Sequence, residues 1–307
     1  MKWSSIVPNF ILILFILLGV IFMSPILAIS FGIIYSYIYI NNAQAISAKI
    51  STIPLQIGIV LLGFTISLDT LIPIFDVYAK WVIYFIVFSF ISSFFLGKLL
   101  GLDMKLNILV ASGLSICGAT AISIVGPIIK ANNKYIFMSL GILFLFNTLA
   151  IMLFPLMGKF LEMSYYEFGV FSALAIHDTG SVVGSALAFS NQSIEVAVSI
   201  KILRTLGLIP LIILLNYKFN SNQKTFTFPR FIIYFFVALA ISNMFDLTYL
   251  FIEYSKILSK IFIIIGIFFI GLQTSKIEFK DLSLRPLLLG LIIWIVVMPM
   301  AYLVSVS

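Results

Sequence analysis

The chain alternates long apolar runs with short polar interruptions. Runs at 6–22, 25–40, 54–67, 78–100, 107–129, 135–157, 168–190, 194–215, 231–245, 257–272 and 286–306 reach or approach the length of about 20 residues that an α-helix needs to cross a hydrocarbon core. This pattern predicts an all-α polytopic membrane protein of about eleven apolar segments. The first run follows Lys2 as a signal peptide would, but Met23-Ser24-Pro25 is a poor cleavage site, so the run is expected to remain as a helix. The run at 54–67 is short, which fits a segment packed inside the protein. A polar stretch at 216–230, with Asn220, Ser221, Asn222, Gln223 and Lys224, is expected to join two halves, about 1–215 and 231–307, of one transporter domain.

Three runs carry polar groups that an ordinary spanning helix would not. Gly113, Ser115, Cys117, Gly118 and Thr120 interrupt the run at 107–129, and His177, Asp178, Thr179, Gly180 and Ser181 interrupt the run at 168–190. Lys201 and Arg204, three residues apart and so on one helix face, lie within the run at 194–215. Ionisable groups at membrane depth are costly and mark functional sites. The first two runs are predicted to be broken or re-entrant helices. An unwound segment exposes backbone N–H groups and a half-helix N-terminus, which attract an anion. Arg204 offers a planar fork suited to sulfate, sulfonate or carboxylate. Asp178 is a candidate to carry a proton, to help bind sodium, or to pair with Lys201 or Arg204, and Glu195 is a second candidate partner for those cations. His177 is a candidate proton relay. The predicted substrate and ion site is thus Ser115, Cys117, Gly118, Thr120, His177, Asp178, Thr179, Ser181, Lys201 and Arg204.

Composition narrows the class. Of 307 residues 62% are hydrophobic and 9% charged, and the mean hydropathy is +1.22. A soluble domain carries about 25% charged residues. The net charge of +7 would suggest nucleic acid in a soluble protein. Here most lysines flank apolar runs, so membrane topology accounts for them, and no nucleic-acid partner is expected. One cysteine excludes an intrachain disulfide, and one histidine excludes a multi-histidine metal site. No P-loop, zinc or dinucleotide signature occurs, so neither an enzyme nor a bound cofactor is expected. Transport is then driven by a gradient of H⁺ or Na⁺, or is exchange or passive. The expected partners are a small anionic solute, the lipid bilayer and a second copy in a homodimer.

Loop cations suggest orientation. With every run spanning and the N-terminus inside, 11 loop cations lie inside and 5 outside. If both broken runs are hairpins that re-enter, Lys130 and Lys134 move inside and Lys159 outside, giving 12 against 4. Both favour a cytoplasmic N-terminus, and the charge rule does not separate them. An internal likeness joins Ile57-Gly58-Ile59 through Ser67 to Ile265-Gly266-Ile267 through Ser275, with the second glycine also shared as Gly63 and Gly271. These are the third and tenth runs, of opposite direction if all between them span, as inverted repeats in secondary transporters are.

At these residues the chain resembles the bacterial sulfate exporter family of conserved inner-membrane proteins. The resemblance covers about 55–303 and is carried by LQIGIVLLGF, SGLSICGATAIS with GPIIKA, FGVFSALAIHD, VAVSIKILRTLGLIP, IGIFFIGLQTS and RPLLLG. Family members have Ser-Ile-Cys-Gly-Ala as here, an Ile-His-acid motif matched by Ile176, His177 and Asp178, and a Lys-x-x-Arg pair matched by Lys201 and Arg204. Where members often read Val-Ala-Gln-Val-Val after the acid, this chain has Thr179-Gly180-Ser181-Val182-Val183, without the Gln amide. More distantly the family is similar to bile-acid–sodium symporters and cation–proton antiporters. That likeness implies a scaffold bundle and a moving core bundle, with crossing broken helices and an elevator-like cycle. Three functions compete: an ion-coupled secondary transporter of a small anion, a cation–proton antiporter on the same fold with Asp178 as carrier, and a membrane module that transports nothing.

Overall fold

A computed structural model describes residues 3–39, 53–219, 229–245, 247–273 and 283–307. They form α1 (Trp3–Ile21), α2 (Pro25–Ile38), α3 (Ile53–Gly63), α4 (Leu68–Leu99), α5 (Met104–Ser115), α6 (Ala119–Ile128), α7 (Asn133–Phe160), α8 (Tyr165–Ala175), α9 (Thr179–Phe189), α10 (Ser193–Leu206), α11 (Leu208–Lys218), α12 (Arg230–Met244), α13 (Tyr249–Gln273) and α14 (Leu284–Val306). The protein is an all-helical polytopic membrane protein. Among the described residues, five stretches are long and apolar enough to cross a membrane alone: α4, α7, α10 with α11, α13 and α14. The helices end where the chain supplies caps. Ser24, Ser67, Asp103, Asn132 and Ser164 each accept a backbone N–H at a helix start, and Ser164 with Glu167 closes a reciprocal capping box. Two helices start earlier than the apolar pattern predicted, α4 at Leu68 and α13 at Tyr249. Lys80, Lys256 and Lys260, read as loop cations, are therefore helical. Most of the predicted linker, 220–228, lies outside the described residues, while 216–218 extend α11.

Both interrupted runs turn back on themselves. Lys105 Nζ, at the start of α5, donates to the Lys130 carbonyl just beyond α6 at 2.8 Å. The rings of Phe168, at the start of α8, and Phe189, at the end of α9, stack with centroids 4.1 Å apart. Each run is therefore a helical hairpin whose two ends lie together. The arms have 10 to 12 residues. At 1.5 Å per residue they reach about 15–18 Å, half of a hydrocarbon core of about 30 Å. The uninterrupted α7, with 28 residues, joins the open end of the first hairpin to that of the second. The hairpins thus open at opposite ends of α7, and their tips meet between. Of the two topologies that the cation count did not separate, this is the re-entrant one.

The helices sort into two groups. α4 packs on α5, α14 on α8, and α10 on α4 and α8, while α7 packs on both hairpins. This core carries the tips. The second group is α2, α3, α12 and α13, in which α3 crosses α13, α2 lies on α13 and α12 lies on α3. The repeated glycines make these crossings, since small residues let helices approach closely. A Cβ on Gly58 would stand 3.0 Å from the Ser259 carbonyl, and one on Gly266 would stand 2.7 Å from the Leu55 Cβ. Gly63 faces the Phe235 carbonyl of α12, and Gly271 faces Gly32 of α2. The two like segments therefore contact each other through the first glycine and their flanking helix through the second. The last three helices do not form a separate body, because α13 joins α2 and α3 while α14 joins the hairpin core.

The hairpins make a labelling prediction. In oriented vesicles, Lys105→Cys and Lys130→Cys should both react with an impermeant maleimide from one face. Tyr165→Cys and Gln192→Cys should both react from the other. Reaction of the first pair from opposite faces would mean that the first broken run spans.

Candidate functional site

A helix that stops in mid-membrane leaves its last carbonyls without partners, and water is not there to take them. At the two tips these carbonyls are accounted for one by one. In the first hairpin, the Ser112 carbonyl accepts from the Ile116 N–H and the Gly113 carbonyl from the Gly118 N–H. The Leu114 carbonyl accepts from Arg204 Nη2 at 3.0 Å, and the Ser115 carbonyl from Arg204 Nε at 2.8 Å. The Ile116 carbonyl accepts from Lys201 Nζ at 3.2 Å. In the second hairpin, Arg204 Nη1 donates to the carbonyls of Ala173 and Leu174, at 3.2 and 2.7 Å, and more distantly to that of Ile176. Lys201 Nζ donates to the carbonyls of Ile176 and His177 at 2.9 and 2.6 Å. The Ala175 carbonyl accepts from Trp294 Nε1 of α14 at 3.3 Å. His177 Nδ1 donates across the tips to the Leu114 carbonyl at 2.7 Å, which leaves Nε2 buried without a partner among the described residues. Lys201 and Arg204, both wholly buried on α10, therefore hold the carbonyl ends of both outgoing arms together. Their positive charge meets the negative ends of two helix dipoles.

The returning arms start where the outgoing ones stop. Gly118 is the N-cap of α6 with φ +61°, a left-handed conformation that glycine adopts without strain, and no side chain caps this helix. A Cβ there would stand 3.0 Å from the Asp178 Cβ, so the tips touch at backbone distance. Asp178 caps α9, its Oδ2 accepting from the N–H groups of Gly180 and Ser181 at 3.0 and 3.2 Å and from the Ser181 hydroxyl at 3.4 Å. Among the described residues, no ion pair joins Asp178 to a cation, and its Oδ1 has no hydrogen bond. Both N-termini border a cavity of about 80 Å³ between the tips and the α3–α13 crossing. Thr120, Asp178 and Thr179 line it from the core, Gln56 and Gln273 from the opposing helices, with Phe144 and Phe231 closing it. Gln273 is 6% exposed, and neither glutamine side chain has a hydrogen bond among the described residues.

Comparison with known proteins places the chain. A family model described as Conserved hypothetical protein 698 matches residues 9–290. The UPF0324 membrane protein of Photobacterium profundum is 33% identical over 288 residues, covering 94% of this chain and 88% of its own. That of Bacteroides thetaiotaomicron is 30% identical over 281 residues, covering 89% and 84%, and one from Streptococcus agalactiae serotype V is 32% identical over 307, covering 94% and 90%. The chain belongs to this membrane protein family. It is the family whose resemblance the tip and α10 motifs carry, and the matched span includes both hairpins and α10. No solved structure matches.

The predicted residues divide between two places. Thr120, Asp178 and Thr179 line the cavity, and Gly118 lies beside it at the tip contact. Ser181 supports Asp178 from behind. Ser115, Cys117, His177, Lys201 and Arg204 lie in the buried junction and do not line the cavity. The expected pairing of Lys201 or Arg204 with Asp178 or Glu195 is absent among the described residues. Backbone carbonyls occupy both cations, and Glu195 instead pairs with Lys256 of α13 at 3.6 Å. For the same reason the Arg204 fork is turned to carbonyls rather than presented to an anion. Sequence reasoning missed Gln56 and Gln273. Their signal is an amide in or beside each copy of the repeated segment, Gln56 just before one and Gln273 near the end of the other. Trp294 was missed as well and gives no polar signal.

Arg204→Met should lower the melting temperature in detergent strongly. It leaves four close carbonyl contacts unmade, and each unsatisfied buried group costs about 1–3 kcal/mol. Arg204→Lys, which keeps the charge but not the fork, should fall between. Equal melting of Arg204→Met and wild type would sink this account of the junction.

Proposed function

We propose that the protein is a secondary transporter of a small anion of the sulfate, sulfonate or carboxylate class, coupled to H⁺ or Na⁺. The observation that carries this reading is the convergence of two half-helix N-termini on one cavity at the boundary between two helix groups. Such termini attract negative charge, and in secondary transporters they line sites near the bilayer midplane. A cavity holds one water in about 10–15 Å³ by the same measure, so this one has room for a small solute. The amides of Gln56 and Gln273 and the hydroxyls of Thr120 and Thr179 offer neutral hydrogen bonds to an oxyanion. Asp178, with one oxygen uncommitted, carries the coupling H⁺ or Na⁺ beside it, and His177 Nε2 is a relay for the proton case. The hairpin core then moves against α2, α3, α12 and α13 in an elevator-like cycle. Lys201 and Arg204 act by keeping the tips one rigid body rather than by touching substrate. The protein resides in a bacterial inner membrane with its N-terminus in the cytoplasm, as a homodimer, and acts without a cofactor or enzymatic step.

Cation–proton antiport on the same scaffold is the second reading, and the unpaired carboxylate of Asp178 is the observation that favours it. Proteoliposomes separate the two. Labelled sulfate, taurine or a dicarboxylate should accumulate against a gradient in wild type. Asp178→Asn should keep anion exchange but lose dependence on the H⁺ or Na⁺ gradient, and Gln273→Leu should raise KM more than it lowers the maximal rate. Cation flux without anion flux would select the antiporter, and no flux of either would leave a module that does not transport.

A further inference from the structure

A second cavity, of about 260 Å³, lies at the end of the molecule where the second hairpin opens. Met23, Leu187, Asn191, Ile257, Lys260 and Ile264 line it. Asn191 and Met23 are exposed, so it opens at the surface of the molecule. It lies along the same seam between α9 and α13 as the tip cavity, since Leu187 and Ile264 line the outer cavity while Gly180 and Ile270 line the inner one. Six residues separate Ile264 from Ile270, about 9 Å along a helix. Midway, the wholly buried Ile267 fills the notch left by Gly184, where a Cβ would stand 3.0 Å from the Ile267 Cδ1. The charges around the outer cavity do not cancel. Lys256 is neutralised by Glu195 at 3.6 Å, whereas Lys260 has no ion pair among the described residues. Asn191 adds an amide whose side chain has no hydrogen bond among the described residues.

We propose that the Lys260–Asn191 cavity is an outer recruiting site for the transported anion, and that Ile267 seated on Gly184 is the seal between it and the tip site. The inference rests on the reading of the tip cavity as an anion site. In its terms, an anion is drawn from water by Lys260, held by the Asn191 amide, and passes inward when the seam between α9 and α13 parts where Ile267 meets the bare backbone of Gly184. The structure is then a state closed on this side.

Thr179→Cys places a thiol in the inner cavity, and wild type, whose one cysteine is wholly buried, gives the background. The probes are two methanethiosulfonates of similar size, one bearing a sulfonate and one a trimethylammonium group, applied from the Lys260 side. Ile267→Ala should speed labelling by both reagents several-fold, and Gly184→Ala, which keeps the notch filled, should not speed it. Lys260→Gln should slow the sulfonate reagent about tenfold while leaving the cationic one unchanged or faster. If Ile267→Ala, shown by its melting curve to be folded, labels at the parent rate, the seal is wrong. Equal slowing of both reagents by Lys260→Gln overturns the recruiting site. Labelling does not require transport, so this pattern without sulfate flux would keep the route and reject the transporter reading, whereas flux without the pattern would reject the route alone.

Discussion

Unpartnered carbonyls in a place without water govern this fold. Two helices that stop halfway across a bilayer are tolerated only if something supplies donors to their ends. Lys201 and Arg204 make eight contacts with seven carbonyls, three from the ammonium and five from the guanidinium. A buried cation is itself costly unless its donors are filled, so each side removes the other's penalty. Much else follows. The tips are held in mutual contact, which requires Gly118 where the Asp178 backbone approaches. The outgoing arms are neutralised, which leaves the positive ends of the returning arms as the unbalanced field at the tips. Asp178 answers one of those ends internally and leaves the other to whatever occupies the cavity.

The second constraint is the flat crossing of α3 and α13. Glycines at Gly58, Gly63, Gly266 and Gly271 bring four helices to backbone distance, so this group has little freedom to deform. The hairpin core meets it mainly through α9, along a seam whose described polar cross-links include one partly exposed ion pair, Lys256–Glu195. An exposed pair contributes about 0–1 kcal/mol. The boundary between the groups is therefore weaker than either interior, and the cavity lies on that boundary.

Much of the architecture was legible in the sequence because the bilayer restricts what apolar runs can become. The breaks showed as clusters of small and polar residues at Gly118 and Asp178, and the α10 cations showed as charges with no route to water. Their role did not show. A planar fork in mid-membrane fits an anion and a set of carbonyls equally, and only the placement of Leu114, Ser115, Ala173 and Leu174 decides. Re-entry was also hidden. The loop cations divide almost alike in the two topologies, and the contact of Lys105 with Lys130 depends on a turn that composition does not specify. Gln56 and Gln273 lay beside and within the repeated segments but carried no charge to single them out.

The junction also orders the birth of the protein. The Ile116 carbonyl waits for Lys201, which lies 85 residues later in the chain. At about 5–20 residues per second of synthesis, the first hairpin emerges about 4–17 s before its partner cation exists. Through that interval its tip lacks the donors that Lys201 and Arg204 supply, so lying at mid-depth is costly. Its two short arms are better housed at the membrane surface or against the insertion machinery until α10 arrives. The last helix comes later still, bringing Trp294 to the Ala175 carbonyl. Burial of the tips is thus completed only after α10 has been made, and a ribosome pause before α10 would lengthen the time for which the nascent chain is exposed to quality control.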